Sequence, residues 1–201
     1  MGIEATIMEF RDMETDKTDL ELIQEFQSGS SPAFDALYER YRRPLYGYVN
    51  RQMQGHTSQA DDVFQQTWMR AIDNLSTYRD QEKFSAWLMR IAHNLIIDYY
   101  RSLKRRAEDE LDETYGDTAE DTSGDTPGRE MDERERTRQL TAALNSLTPE
   151  LREVFLLRRE NIPFQQIAKI QNCSVNTSLA RMRYAVKQLT NKLKDWESDN
   201  S

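Results

Sequence analysis

The sequence predicts an all-α protein made of two small helical domains joined by a flexible acidic linker. Apolar residues recur every three or four positions in two stretches, residues 19–106 and 138–196, and neither stretch alternates as a strand does. Between them, residues 107–137 carry 13 acidic and 3 basic side chains. Because hydrophobic residues make up 37% of the 201 residues, we expect two small cores rather than one large one.

Two helices are predicted at the start of the N-terminal domain. Asp19 is expected to cap the first, which ends at Gly29. Ser31 and Pro32 start the second, because proline suits a first helical turn, and Pro44 is expected to bend it. The apolar face of the second helix is formed by Phe34, Leu37, Tyr38, Tyr41, Leu45 and Tyr48. Residues 1–18 are expected to be disordered.

Two further helices complete this domain. The third begins near Ser58, with an apolar stripe of Val63, Phe64, Thr67, Trp68, Ala71 and Ile72 and an opposite face of Asp61, Asp62, Gln65, Gln66, Met69 and Arg70. After a loop over residues 76–83, the fourth begins at Phe84 and carries Trp87, Leu88, Ile91, Leu95, Ile96 and Tyr99 in register. It ends in Arg101, Lys104, Arg105 and Arg106, cations that the helix dipole favours at a C-terminus.

Residues 107–137 are predicted to form a mobile linker. Leu111, Tyr115 and Met131 are its only sizeable apolar side chains, so it cannot bury enough surface to offset its chain entropy. Repulsion between its charges should keep it extended. We interpret it as a solvated tether; the alternative is a polyanion that occupies a basic channel. With 13 acidic and 3 basic groups it carries more negative charge than the whole chain, whose net charge is −8. Residues 138–201 carry 10 basic and 6 acidic groups, a balance suited to phosphate binding.

The C-terminal domain contains a predicted helix-turn-helix. Its first helix is residues 163–170, its turn is residues 171–173, and its second helix opens at Ser174 and runs towards Trp196. Asn172 tolerates the left-handed conformation of such a turn, and Ser174 is a good N-cap. Because this motif places its second helix in the DNA major groove, we expect the chain to bind DNA.

The second helix of this motif is predicted to have a buried seam and an outward face. The seam is Leu179, Met182, Val186, Leu189, Leu193 and Trp196, packed against Leu147, Leu151, Val154, Phe155, Ile167 and Ile170. The outward residues are Asn176, Thr177, Ala180, Arg181 and Tyr184. Arg181 is the best candidate for a bidentate guanine contact, Asn176 and Thr177 for base edges or phosphates, and Lys169, Arg183 and Lys187 for phosphates. A merely solvated face is the alternative for each.

Composition and motifs argue against several other classes. Cys173 is the only cysteine, and His56 and His93 lie in separate segments, so we expect no disulfide, metal or cofactor. No stretch approaches the roughly 18 apolar residues of a membrane span, and the N-terminus lacks a signal-peptide layout, so a cytoplasmic location is expected. Without paired carboxylates at metal spacing, a Gly-rich phosphate loop or a nucleophile beside a histidine, no enzyme activity is expected.

Three runs of sequence, in order, resemble the extracytoplasmic-function (ECF, group 4) sigma factors of the sigma-70 family. Residues 61–71, DDVFQQTWMRA, are similar to their region 2.1–2.2 signature, D-x-x-Q-E-x-F-x-R/K-A. Residues 84–101, FSAWLMRIAHNLIIDYYR, are similar to region 2.3–2.4, and residues 147–155, LTPELREVF, together with the helix-turn-helix resemble region 4. The resemblance divides the chain into an N-terminal segment 1–18, region 2 over 19–106, a linker over 107–137 and region 4 over 138–201.

The resemblance implies a dissociable subunit of bacterial RNA polymerase that recognises a promoter, melts it and starts transcription. The expected partners are core polymerase, through its beta-prime clamp and beta flap, promoter DNA, and an anti-sigma factor that sequesters the chain. A stand-alone helix-turn-helix regulator, which would bind duplex DNA by itself, is the alternative. An enzyme acting on nucleic acid is a third class, without support in the sequence.

The resemblance also assigns three sets of residues. The polymerase-binding set is Asp61, Asp62, Val63, Gln65, Gln66, Trp68 and Met69. The minus-ten set is Tyr78, Arg79, Lys83, Trp87, Arg90, Asn94, Arg101, Lys104 and Arg105, with the loop 78–83 as a pocket for a flipped base. Separated bases need aromatic platforms and cations, although a core position is the alternative for Trp87. The minus-35 set is Lys169, Ser174, Asn176, Thr177, Ala180, Arg181, Arg183, Tyr184 and Lys187.

Three positions depart from the family pattern. Gln66 stands where the family mostly has glutamate, a change that polymerase binding should survive because an exposed ion pair contributes only about 0–1 kcal/mol. Ser178 replaces an inward apolar residue, and its hydroxyl is expected to bond to a carbonyl one turn earlier. Leu179 replaces a frequent cation, so the family's minus-35 contacts carry over directly only to Thr177 and Arg181.

Overall fold

The computed structural model describes residues 17–78, 83–109 and 131–199. Every regular element in these ranges is helical, which confirms the predicted fold class. The helices are α1 (Asp19–Gln27), α2 (Ser31–Gln52), α3 (Thr57–Asn74), α4 (Phe84–Asp109), α5 (Met131–Asn145), α6 (Pro149–Arg159), α7 (Phe164–Ile170) and α8 (Val175–Asp199), with a 3₁₀ turn at Leu75–Thr77. In the same ranges, none of these helices is long and apolar enough to cross a membrane.

The cap of α1 lies one residue before the predicted one. Thr18 Oγ1 accepts a hydrogen bond from the Glu21 N–H at 3.3 Å, and Glu21 Oε2 accepts one from the Thr18 N–H at 2.7 Å. This capping box satisfies two donors that the first helical turn leaves open. Asp19 instead accepts bonds from Arg40 Nη1 at 2.6 Å and Tyr41 Oη at 2.5 Å, so it fastens α1 to α2.

Glycine and proline set the next boundaries as predicted. The first helix ends at Gln27, and Gly29 adopts a φ of 102°, a conformation that favours glycine. The second begins at Ser31 with Pro32 in its first turn. It then continues through Pro44 to Gln52, so the expected bend at Pro44 stays a prediction.

The first four helices enclose a core rich in aromatic rings. Trp68 of α3 meets Phe34 of α2 edge-on, with ring centroids 5.8 Å apart, and lies 5.0 Å from Tyr38. Phe84, at the start of α4, lies 5.2 Å from Tyr41. Ile72 was expected in the apolar stripe of α3 but is exposed, because it lies at the edge of the stripe that faces this core.

The last four helices bury a seam of α8 that differs from the predicted one. Val186 is 44% exposed, whereas Ala185 and Ser178 are fully buried. The seam therefore follows Ser178, Met182, Ala185, Leu189 and Leu193, which places small residues where α8 meets α6 and α7. The prediction selected the larger apolar side chain at each step, but close helix packing favours the small one. The side chain of Trp196 lies outside the described residues.

The two helical units pack against each other in this structure. Helix α6 lies on α2, and α7 lies on α4. The buried side chains consequently form one continuous cluster, rather than the two separate cores expected from the sequence. The composition did not indicate this contact because polar residues carry part of it, with His93 of α4 and Glu153 of α6 paired across the boundary.

The structure describes only the ends of the predicted linker. Helix α4 extends to Asp109 and α5 begins at Met131, so helices overlap both ends of the segment 107–137. Residues 110–130 and 1–16 lie outside the described residues. The proposed domain boundaries stay predictions.

Candidate functional site

The helix-turn-helix has the local geometry that its sequence predicts. Asn172 adopts a φ of 47°, the left-handed conformation expected of the turn. Ser174 Oγ accepts a hydrogen bond from the Thr177 N–H at 3.0 Å, which makes Ser174 the N-cap of α8. Pro163 is the N-cap of α7 rather than its first residue. The start of α8 is therefore fixed relative to α7.

Most residues of the minus-35 set lie on an exposed surface formed by α7 and α8. The exposed members are Lys169, Ser174, Asn176, Thr177, Arg183, Tyr184 and Lys187, whereas Ala180 and Arg181 are half-buried. This surface combines hydroxyl and amide groups near the start of α8 with cations around it. Such a face can hydrogen-bond to base edges and phosphates. The individual contacts stay predictions.

Arg181 is the member of this set with the most defined surroundings. Its Nη1 donates to Gln171 Oε1 at 3.0 Å and lies 3.5 Å from Cys173 Sγ. Gln171 Nε2 in turn donates to the Glu150 carbonyl at 2.9 Å and to Glu153 Oε2 at 3.0 Å. The sequence reasoning missed Gln171; its only signal was a polar residue directly before the left-handed Asn172.

The buried Ser178 lies beneath the same turn. Its hydroxyl contacts Cys173 Sγ at 3.3 Å rather than a carbonyl one turn earlier, so the predicted partner was wrong. A serine fits here because a sulfur, a weak hydrogen-bonding group, faces it in an otherwise apolar seam. The departure from the family's apolar residue is thus accommodated locally.

The minus-ten set follows one side of α4. Lys83, Arg90, Asn94 and Arg101 recur at steps of seven, four and seven, which places them on one helical face. Lys83, Asn94, Arg101, Lys104 and Arg105 are exposed, and Arg90 is half-buried. Arg101 Nη1 lies 3.7 Å from Asp98 Oδ1, an exposed ion pair one helical turn apart. This face forms a cationic track of the kind that follows a nucleic-acid backbone.

Two aromatic members of the minus-ten set lie in the core. Tyr78 and Trp87 are 8% and 6% exposed, and their ring centroids are 5.6 Å from each other and from that of Phe84. In this arrangement neither ring is exposed for stacking, which agrees with the alternative core interpretation of Trp87; the assignment of both residues to the minus-ten set stays a prediction. Trp87 is buried because its helical spacing places it on the same apolar face of α4 as Ile91. Arg79 and the rest of the loop, residues 79–82, lie outside the described residues.

The polymerase-binding set divides between a surface and a core. Asp61, Asp62, Gln65, Gln66 and Met69 are exposed, Met69 by 64%. Val63 and Trp68 are each only 5% exposed, because they belong to the apolar stripe of α3. Their assignment to the polymerase-binding set stays a prediction. Exposed Tyr46 and Ile72 border the set, and Tyr46 Oη donates to Asp61 Oδ1 at 3.0 Å. Ile72 was missed because its spacing indicated a core position, and Tyr46 because it lies outside the predicted apolar face of α2.

A buried carboxylate connects the two units. Glu153 Oε1 accepts hydrogen bonds from Tyr48 Oη at 2.5 Å and His93 Nδ1 at 2.6 Å, while its other oxygen binds Gln171. Burial acts to raise the pKa of Glu153, but the bonds from His93, Tyr48 and Gln171 outweigh it and lower that pKa. Burial and the adjacent carboxylate raise the pKa of Tyr48 well above its usual value. Glu153 is therefore an ionised carboxylate with all its partners in place.

The neighbouring Arg152 joins helix ends in both units. Its guanidinium donates to the carbonyls of Leu144 and Asn145, the last two residues of α5, at 3.1 and 3.4 Å, and to that of Leu147, just after α5, at 3.0 Å. Its Nη1 donates to the Arg51 carbonyl at the end of α2 at 2.9 Å. Burial lowers the pKa of Arg152 from its usual value. These bonds satisfy carbonyls that helix ends leave open.

Other chemistry is not apparent in the described part of the chain. Within residues 17–78, 83–109 and 131–199, no group of three or more His, Cys, Asp or Glu side chains is placed to hold a metal ion. The fold and surfaces together define a class of protein, a two-unit helical protein with a helix-turn-helix in its C-terminal unit.

Comparison with known proteins specifies the family. Residues 37–106 match the family model for Sigma-70 region 2, and residues 137–189 match that for Sigma-70, region 4. The ECF RNA polymerase sigma-E factor of Haemophilus influenzae is 29% identical over 186 residues, which span 88% of this chain and 95% of the relative. RNA polymerase sigma factor YlaC of Bacillus subtilis is 27% identical over 169 residues, spanning 82% of this chain and 96% of that one.

Solved structures show the same fold. The sigma factor RpoE in complex with the anti-sigma factor NepR from Bartonella quintana aligns with a TM-score of 0.61 at 20% identity, over 80% of this chain and 96% of that one. CnrH in complex with the cytosolic domain of CnrY aligns with a TM-score of 0.62 at 23% identity, over 89% and 99%. The chain belongs to the ECF group of the sigma-70 family and is a sigma factor. The stand-alone regulator is not favoured.

Proposed function

We propose that this sigma factor acts in the cytoplasm with core RNA polymerase and directs it to promoters through separate surfaces on its two helical units. The carrying observation is that α8, the DNA-reading helix of the matched region 4, exposes Asn176 and Thr177 beside the anchored Arg181. Recognition helices contact base edges with residues near their N-termini. The function lies in binding and positioning rather than in catalysis.

The exposed face of α3 is the proposed polymerase contact. It presents acidic and amide side chains, Asp61, Asp62, Gln65 and Gln66, around the exposed Met69. Exposed apolar side chains with a polar rim are typical of protein interfaces. The acidic groups favour a basic partner, which supports docking on the beta-prime clamp.

The cationic side of α4 is the proposed minus-ten contact. In the structure, Lys83 Nζ donates to the Asn161 carbonyl at 3.3 Å, a bond from the N-terminal unit to the C-terminal unit. That bond uses only one of the three hydrogens of the ammonium group, so the exposed Lys83 can bind a phosphate without breaking it.

An anti-sigma factor is the proposed regulatory partner. RpoE and CnrH, both similar in fold, were solved in complex with NepR, an anti-sigma factor, and with the cytosolic domain of CnrY. The exposed Met69 and Ile72 on α3 supply apolar surface that such a partner would cover.

Run-off transcription with purified core polymerase tests the proposal. The full chain should support initiation from its promoters only when core is present, and Arg181→Ala should reduce initiation where a minus-35 element is required. Arg138→Ala is the matched control, because Arg138 is an exposed arginine of α5 paired with Glu135. If the chain alone bound promoter duplex with full sequence preference and ignored core, the regulator interpretation would replace this one.

A further inference from the structure

Two contacts hold one end of the Arg181 guanidinium, and the residue is half-buried. Both contacts given by the structure, to Gln171 Oε1 and Cys173 Sγ, involve Nη1. A guanidinium is planar, so contacts on two sides of Nη1 restrict the orientations of the plane in which Nε and Nη2 lie. An arginine binds guanine O6 and N7 with two parallel N–H groups, and such an edge provides them.

The oxygen and both hydrogens of the Gln171 side-chain amide have hydrogen-bond partners. Its Oε1 accepts from Arg181 at 3.0 Å, and the two hydrogens of Nε2 go to the Glu150 carbonyl at 2.9 Å and Glu153 Oε2 at 3.0 Å. A rotated amide would place the nitrogen against a cation and the oxygen against two acceptors, so only one orientation is stable. The Gln171 amide therefore links α6 to Arg181 in a fixed orientation.

One partner of the Gln171 amide, Glu153, is buried. Glu153 is only 7% exposed, and its other oxygen is held by Tyr48 and His93. A continuous series of hydrogen bonds thus leads from the N-terminal unit through Glu153 and Gln171 to Arg181. Because the supporting groups are packed, the direction of the arginine is set by the protein before DNA arrives.

We propose that Gln171 is a positioning residue for minus-35 recognition, which aims the Nε and Nη2 edge of Arg181 at one base. This inference rests on the proposed function, in which Arg181 reads that base. An aimed guanidinium loses less rotational freedom on binding than a mobile one, and it discriminates better because it cannot turn to a second acceptor. Gln171 therefore contributes to sequence preference without touching DNA.

A purely structural role for Gln171 makes a different prediction. If its amide only tied the turn to α6, replacing it would lower the stability of the C-terminal unit and weaken binding to all promoters alike. A positioning role instead alters preference at one base position. The two roles separate in a measurement of specificity rather than of affinity.

The experiment uses holoenzyme assembled from the full chain and core polymerase, with a promoter library randomised over the minus-35 element. Parent, Gln171→Leu, Arg181→Ala and the double variant are compared; leucine keeps much of the volume of glutamine but forms no side-chain hydrogen bonds. Gln188→Leu is the control, since Gln188 is an exposed glutamine of α8. Thermal unfolding of each variant is measured in parallel.

Arg181→Ala should reduce the base preference at one position of the minus-35 element. Gln171→Leu should reduce the preference at the same position by about fivefold or more, near the lower end of the discrimination that a bidentate arginine–guanine pair supplies. The double variant should lose no more than Arg181→Ala alone, because the residues act as a unit. Equal weakening on every sequence, or unchanged preference in Gln171→Leu, would overturn the inference. If Arg181→Ala itself left every preference unchanged, the proposed base contact would fail as well, which distinguishes the two failures.

Discussion

His93 Nδ1 lies 2.6 Å from Glu153 Oε1, and this contact joins α4 of region 2 to α6 of region 4. Tyr48 of α2 donates to the same oxygen at 2.5 Å. One buried carboxylate therefore binds two helices of the opposite unit.

Replacing Glu153 with glutamine should weaken the contact between the two units. The amide keeps the size of the side chain but loses the charge, so hydrogen bonds from His93 and Tyr48 become weaker. Hydrogen bonds to charged groups contribute about 1.5–3 kcal/mol, and we expect a loss of that order in the free energy of unfolding. Urea unfolding measures the loss, and small-angle scattering reports whether the units separate. Glu150→Gln, an exposed change on α6, should do neither; equal effects of both variants would contradict the prediction.

Lowering the pH should remove the contribution of Glu153 to the free energy of unfolding. Hydrogen bonds hold its pKa in the folded protein below the ordinary glutamate value, despite the opposing effect of burial. The folded state thus binds fewer protons than the unfolded state, so the contribution is complete above about pH 4.3 and is lost as the pH falls towards the lowered pKa. Urea unfolding between pH 7 and pH 3.5 should show a steeper decline for the parent than for Glu153→Gln. Parallel curves would show that Glu153 is not the responsible group.

Substitutions at Trp68 and Met69 should have different effects, the first on folding stability and the second on polymerase binding. Trp68→Ala empties a site in the aromatic core and should cost about 3–5 kcal/mol of unfolding free energy. Met69→Ala removes an exposed side chain and should leave stability within about 0.5 kcal/mol, while weakening the affinity for core polymerase. Thermal unfolding and a direct binding measurement test the pair. If the Trp68→Ala protein were stable but bound core polymerase more weakly, the prediction would be wrong and Trp68 would belong to the contact surface.

The turn of the helix-turn-helix should depend on Asn172. Its φ of 47° is unfavourable for most residues but not for glycine. Asn172→Ala should therefore destabilise region 4 by about 1–2 kcal/mol, whereas Asn172→Gly should be tolerated. Circular dichroism melts of the full chain check the difference. Equal melting of the two variants would show that backbone strain does not control this turn.

Local patterns in the sequence predicted most of the fold and the exposed parts of the site. Helix spacing, Gly29, Asn172 and Ser174 act through neighbouring residues, and the structure confirms what they indicate. The seam of α8 was off by one position at two steps, because packing selected Ser178 and Ala185 over larger neighbours.

Contacts between distant residues could not be predicted in this way. Nothing local marks Glu153 as a partner of His93, since 60 positions separate them and each suits a solvated helix face. The same holds for Gln171, whose role depends on where α6 and α8 cross. Trp68, Tyr78 and Trp87 showed the opposite problem, because one aromatic side chain can serve as core or as contact surface, and only burial distinguishes the two.

Arg152 has a consequence for how reversible the packing between the units is. Three of its four backbone carbonyl partners belong to its own unit. The Arg51 carbonyl belongs to the other unit, and so does the Gln54 side chain, whose amide oxygen can accept from the same guanidinium. If the units move apart, Arg152 keeps three carbonyl partners, and water can replace the bonds to Arg51 and Gln54. A separated region 4 would therefore keep the Arg152 bonds that hold the end of α5 on α6, and it would not have to refold before packing again.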